Sequence, residues 1–247
     1  MKGVVFFLSL FVTSHLIAQN QRVSFGPKVG MMIGAPVPHG NAPEDATGKP
    51  LLGPNLGLLF GYHFTDKWAV FSELSFHEKG AKFESKLVNQ EYIDEVVLVT
   101  PDGTVHRAEI KTIFNGKSNG ELDNWYLSVP VLARYSFSPK FHLIGGGYYA
   151  TLVMSNSKTL AEGFVGASTI LTVEEKDLSS EMNETDYGAI CGVQYQFKPL
   201  VIDFRLSYGF NSIFRSDYKT INYPVRNVYT ELSLAYLFLK PRGPSNE

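Results

Sequence analysis

VIDFRLSYGF, residues 201–210, alternates from end to end. Ile202, Phe204, Leu206, Tyr208 and Phe210 are bulky and apolar; Val201, Asp203, Arg205, Ser207 and Gly209 fall between them. Period two marks a β-strand, whose successive side chains point to opposite faces. One face here carries aliphatic and aromatic groups without a charge. The other holds an acid, a base, a hydroxyl and a glycine. A half-buried soluble strand alternates too, so the neighbouring segments must decide what the apolar face meets.

Seven further segments share the pattern: about 23–34, 53–64, 68–79, 122–137, 141–154, 185–197 and 225–239. In the second, Leu56, Leu58, Phe60, Tyr62 and Phe64 oppose Asn55, Gly57, Leu59, Gly61 and His63. In the fourth, Leu127, Val129, Val131, Tyr135 and Phe137 oppose Ser128, Pro130, Leu132, Arg134 and Ser136. The fifth contains Gly145-Gly146-Gly147, and its faces stay unassigned. A transmembrane strand needs about 9–11 residues, and all eight segments are long enough.

The connections alternate between short and long. Residues 65–67, 138–140 and 198–199 are compact and rich in turn formers, whereas 35–52, 80–121, 155–184 and 212–224 are long. Short turns at one end and long loops at the other fit an outer-membrane barrel with its turns in the periplasm. Aromatic residues bracket those turns: Phe64, Trp68, Phe137, Phe141 and Phe197, with Phe238 closing the last strand. Rings favour the membrane–water boundary, so these six are expected to form the periplasmic girdle. The fold expected is an all-β, eight-stranded antiparallel up-and-down transmembrane barrel. A further strand pair from 92–113 would make ten.

A soluble barrel with its apolar face inward is the rival. The interior of eight strands is barely wide enough to be filled by side chains, and several bulky residues per strand would overfill it. Its wetted face would then be mostly Gly, Ser and Ala with few charges. A narrow polar lumen suits those residues better. Lys28, Glu73, Arg134, Asp203, Arg205 and Glu231 fall on that inner register. Three acids and three bases can neutralise one another, with Lys28, Arg205, Asp203 and Glu231 as one expected cluster and Glu73 with Arg134 as the other. Their expected role is structural.

The chain opens with Met1-Lys2 and an almost wholly apolar run to Ile17, followed by Ala18-Gln19. That describes a secretory signal peptide, 1–18, with the barrel in 19–239 and a periplasmic tail in 240–247. A formal net charge of −2 is too mild to argue for nucleic acid. One cysteine, Cys191, rules out an internal disulfide framework and falls on the lipid-facing register. His63, His77, His106 and His142 show no helical metal spacing such as HExxH. His77 shares a face with Glu73, and two lumen residues satisfying each other is the plainer account of that pair. No catalytic, cofactor or metal residue is expected.

With these residues quoted, the chain resembles the small outer-membrane barrels of Bacteroidetes-type bacteria, called porin-family or PorT-like, and more loosely the OmpA/OmpX barrels. The resemblance rests on Phe25-Gly26-Pro27-Lys28-Val29-Gly30, on 125–132 (WYLSVPVL), on 203–209 (DFRLSYG) and on the closing 234–238 (LAYLF). It covers nearly the whole mature chain. It implies architecture and an outer-membrane location, and no shared catalytic motif.

Three functions follow as alternatives: a surface-displayed binding or structural barrel, an accessory of protein secretion as the PorT resemblance implies, or a barrel enzyme acting on lipid or peptide. A diffusion porin needs about 16–18 strands. The partners expected are outer-membrane lipid and a protein at loops 80–121 or 155–184, with the barrel itself a monomer. Within 80–121, Tyr92 to Val99 is rich in β formers, 104–113 alternates, and Pro101-Asp102-Gly103 is a turn signal, so a hairpin projecting into water is expected there.

Overall fold

The computed structural model describes residues 22–40, 47–99, 105–197, 199–218, 221 and 223–238. The signal peptide 1–18 and the tail 240–247 lie outside them. Ten strands follow in order: β1 (Val23–Pro38), β2 (Thr47–His63), β3 (Trp68–Val99), β4 (Val105–Ser136), β5 (Phe141–Ser155), β6 (Lys158–Val165), β7 (Thr172–Asp177), β8 (Thr185–Phe197), β9 (Leu200–Gly209) and β10 (Val225–Tyr236). A single 3-10 turn, Ser179–Glu181, follows β7.

Eight of these close a ring in the order β3-β2-β1-β10-β9-β8-β5-β4, with β4 pairing back to β3. Every pairing in it is antiparallel, and β1 meets β10 from Lys28↔Ala235 to Pro38↔Val225. Closure leaves the membrane-spanning sheet no unpaired edge, the condition a sheet must meet in hydrocarbon. The alternation of 201–210 reappears as alternating burial, residue by residue. Outward-facing Leu56, Phe60, Val131, Phe204 and Leu232 are exposed on all sides of the ring. Apolar surface of that extent belongs against lipid.

Two turns use the same local chemistry. Thr65 Oγ1 accepts from the backbone N–H of Lys67 and of Trp68 at 3.3 and 3.0 Å. Ser138 Oγ accepts from Lys140 and Phe141 at 3.4 and 3.0 Å. A hydroxyl at the first turn position thus replaces backbone partners that a tight reversal leaves unmet. Phe64, Trp68, Phe137, Phe141, Phe197 and Phe238 are all exposed and all sit at this short-turn end.

Two of the expected loops need correction. Residues 80–121 do not form a loop carrying a separate hairpin. β3 and β4 run on together for 32 residues each, paired from Trp68↔Tyr135 to Val99↔Val105. The barrel therefore stays at eight strands, and the 92–113 segment lengthens two of them. The register shifts once, where Val88 and Asn89 oppose Asn115 alone. Asn89 takes a positive φ of 50°, which Asn tolerates better than most residues, and its N–H donates to Asn115 Oδ1 at 2.7 Å.

Residues 155–184 are likewise not a simple loop. β6 pairs with β4 outside the ring, from Phe114↔Val165 to Glu121↔Lys158, and β7 pairs with β6. The result is a four-stranded fin above the barrel wall. Its outer face is charged, with Lys82–Glu121 at 3.6 Å, and at its base Lys49 of β2 reaches Glu84 of β3 at 2.6 Å.

Candidate functional site

The lumen is the candidate site, and glycines shape it. Lys28 of β1 stands opposite Gly57 of β2, which in turn stands opposite Ser75 of β3. A Cβ on Gly57 would lie 2.9 Å from Ser75 Oγ and 3.0 Å from the Leu74 carbonyl oxygen. With no side chain there, Lys28 reaches past β2. Its Nζ donates to Glu73 Oε2 of β3 at 2.5 Å and to Glu231 Oε1 of β10 at 2.8 Å.

Arg205 stands opposite Gly192 of β8 and Glu231 of β10. Its Nε donates to Asp203 Oδ1 at 2.9 Å, and its Nη2 donates to Asp203 Oδ2 as well as to Glu73 Oε1 at 2.5 Å. β9 and β3 lie across the ring from each other, so Arg205–Glu73 is a strut along the barrel's diameter. Gln194 Nε2 completes the group by donating to Asp203 Oδ2 at 2.8 Å. All of these side chains are buried. Three carboxylates thus share two cations, which in a low-dielectric interior bind strongly but also make each member costly to remove.

The expected Glu73–Arg134 pair is not formed. Ala69 of β3 stands opposite Arg134, which leaves Glu73 four residues, or about 13 Å, further along the strand. Arg134 turns instead toward the short-turn end. Its guanidinium lies over the Phe71 ring at 4.6 Å, and Nη2 is 3.5 Å from His63 Nδ1. Glu73 joins the cluster expected of Lys28, Asp203, Arg205 and Glu231.

Above this cluster lies a second one that the sequence reading missed. Lys79 Nζ donates to Asp186 Oδ2 at 2.6 Å, and the rings of Tyr148, Tyr126 and Tyr229 surround it at 4.8, 5.5 and 5.5 Å. Asp186 also accepts from Asn227 Nδ2 at 2.8 Å and Tyr148 Oη at 3.1 Å. The signal was available. Lys79 continues the inward register of Glu73, Ser75 and His77, and Asp186 continues that of Gly188 and Ile190.

Over the long-loop end, Leu178 and Met182 pack with Ile213, Phe214, Tyr218, Leu122 and Val225 into an apolar cap. A β-bridge between Met182 and Phe214 joins the two loops that build it. Outside the cap, Arg215 Nη2 donates to Asp217 Oδ2 at 2.6 Å, which holds that carboxyl below the usual carboxylate range. Beneath it, the free space bordered by Glu73, His77, Lys79, Arg205 and Glu231 is about 20 Å³, the room of about one water.

Among the described lumen residues no serine–histidine pair has a carboxylate beside its histidine. His77 is buried and its Nε2 has no hydrogen-bond partner, so it is not satisfied by Glu73 through that atom. The side chain of His106 lies outside the described residues. Ser24 and His63 are 2.8 Å apart, as are Ser136 and His142, yet the charged neighbour of His63 is Arg134 and not a carboxylate that would orient a base. Ser24 is fully buried. Among the described residues no group of three His, Cys, Asp or Glu side chains could hold a metal ion. Cys191 is exposed on the outer, lipid-facing register.

A closed eight-stranded ring with an apolar outside and a charged, filled inside is the arrangement to compare with known proteins. A family model described as "Outer membrane protein beta-barrel domain" matches residues 17–215. The chain belongs to that family. It is a protein of the bacterial outer membrane. Similar solved barrels include Ail, the attachment invasion locus protein of Yersinia pestis in complex with the heparin analogue sucrose octasulfate. It has 14% identity and a TM-score of 0.40, over 88% of this chain and 99% of that one. Neisserial surface protein A has 11% identity and a TM-score of 0.36, over 87% and 97%. OprG of Pseudomonas aeruginosa has 12% identity and a TM-score of 0.34, over 87% and 94%. No curated protein matches the chain. This outer-membrane barrel carries its most elaborate features inside the wall and in the fin above it.

Proposed function

We propose that this barrel is a non-enzymatic, monomeric surface protein whose contacts are made by the fin, with its short turns in the periplasm and its fin outside the cell. The observation that carries this reading is the filled lumen. The Arg205–Glu73 strut crosses it, the Lys79 cluster lies above, and the apolar cap closes the long-loop end. A barrel so plugged conducts nothing, which leaves its outer surfaces to act. Among the described residues β7 is the last strand of the sheet, and such an end strand can recruit an extended segment of another protein by β-augmentation. Ile170, Leu171 and Val173 are exposed at this edge.

Three measurements test it. Purified protein in planar bilayers should give no conductance steps; regular steps would refute the plugged lumen. Deleting residues 91–112 should spare the barrel, seen as heat-modifiable gel mobility, because the ring is already closed by the β3–β4 pairs below the register shift at Asn115. Loss of assembly would show that the fin is needed for folding. Cells shaved with protease should not be cut at Lys67 or Lys140, and cutting there would reverse the orientation. An accessory role in protein secretion is the second reading, supported by the PorT-like stretches at 125–132 and 203–209. A deletion strain that exports its surface proteins normally removes it.

A further inference from the structure

Among the described residues, Arg134 is the one lumen cation for which the barrel gives no acid. It is 5% exposed, and neither its Nε nor its Nη1 has a hydrogen-bond partner. Close by on β5, His142 is 3% exposed; its ring is 2.8 Å from Ser136 Oγ through Nδ1, while Nε2 has no partner. His63 completes the group, 3.5 Å from Arg134 and 2.8 Å from Ser24 Oγ. Arg134 and Ser136 are on β4, and Ser136 stands opposite His142, so the three basic groups share one end of the lumen.

The lumen carboxylates are all engaged elsewhere. Glu73, Asp203 and Glu231 bind Lys28 and Arg205, and Asp186 binds Lys79. A guanidinium does not lose its proton in proteins. A buried charge is costly unless it is paired and hydrogen-bonded, and one aromatic face at 4.6 Å supplies neither. His63 and Ser136 are part-exposed, so the group opens toward the short-turn end.

We propose that Arg134 and His142 form a binding site for a small inorganic anion, entered from the short-turn mouth of the barrel. Chloride is the reference ligand, because a monatomic anion needs the least room among these side chains; phosphate is the larger relative. The anion accepts from the unpartnered N–H groups and supplies the negative charge that the described lumen residues do not give at this end. Ser24 and Ser136 hold the two imidazoles in place around it.

The test uses full-length mature protein refolded in detergent, with the unfolding midpoint followed by heat-modifiable mobility at constant ionic strength. Replacing gluconate with chloride should stabilise the wild type. Once the site is saturable, each tenfold rise in chloride should lower the unfolding equilibrium constant up to tenfold. Arg134→Met should fold, since its apolar chain still covers Phe71, and should lose this dependence. Arg134→Lys should retain part of it. Chloride-35 NMR line broadening by the wild type, abolished in His142→Phe, gives a readout that does not depend on Arg134→Met folding. A midpoint equal in chloride and gluconate, or the same shift in Arg134→Met, would overturn the proposal. A response to phosphate without one to chloride would overturn the choice of a monatomic ligand.

Discussion

Replacing Arg205 with Ala should be the most damaging single change in the lumen. Arg205 binds Asp203 through two nitrogens and Glu73 through one, spanning the ring. Without it, three carboxylates share Lys28 alone, and Asp203 keeps only the Gln194 amide. Removing one member of a buried ion pair costs about 3–5 kcal/mol, because the partner's charge is left uncompensated. Glu73→Gln acts in the opposite sense on the balance: it leaves two carboxylates for two cations, and the amide oxygen keeps one of the two contacts while the amide NH2 faces the other donor. Its cost should resemble that of a weakened buried hydrogen bond, about 1–2 kcal/mol. The gap of roughly 2–3 kcal/mol is a factor of tens in the folding equilibrium. Combining Arg205→Met with Asp203→Asn and Glu73→Gln should recover much of the loss, since neutral packing often replaces a buried ionic group without penalty. Urea titration in detergent, read by gel mobility and by Trp68 and Trp125 fluorescence, measures all four proteins. If Glu73→Gln proved as costly as Arg205→Ala, charge balance would not be what holds the cluster.

Two further outcomes follow from the packing. Gly57→Leu should cost about 1–3 kcal/mol through overpacking, because its Cβ meets Ser75 and the Leu74 carbonyl and its side chain enters the path of Lys28; an unchanged urea midpoint would contradict that account. Phe214→Asp should open the cap without unfolding the ring, so trypsin should cut at Arg215 and Lys176 faster while gel mobility stays wild-type. Unchanged cleavage would mean that the cap does not depend on its apolar contacts.

The ring was legible in the sequence because lipid forces period two on every strand that crosses it. The fin was not, for the same reason turned round. Beyond the bilayer a strand need not show lipid an apolar face, and Lys82, Glu84, Lys86 and Lys117 give the outer face of β3 and β4 the look of a solvated loop. β6 and β7 are short, β6 contains Gly163 and Gly166 follows it, so no long alternation marked them. Within the lumen, period two places a residue on the inner face but does not say whom it meets. Lys28 crosses β2 through the gap at Gly57, Arg205 crosses the whole diameter, and Arg134 sits about 13 Å along the strands from Glu73. Those distances follow from register and curvature, which single strands do not encode.

Residues 201–210 also provide the most direct measurement. In a Cys191→Ser background, single nitroxide labels placed in turn at 201, 202, 204, 206 and 207 and reconstituted in lipid vesicles report contact with dissolved oxygen or with a water-soluble nickel chelate. Labels at 202, 204 and 206 should collide with oxygen and be shielded from the chelate, and labels at 201 and 207, which leave the ion cluster intact, should be shielded from both by the filled lumen. Chelate access at 202, 204 and 206 would contradict a lipid-facing apolar surface, and chelate access at 201 and 207 would contradict a closed, plugged barrel.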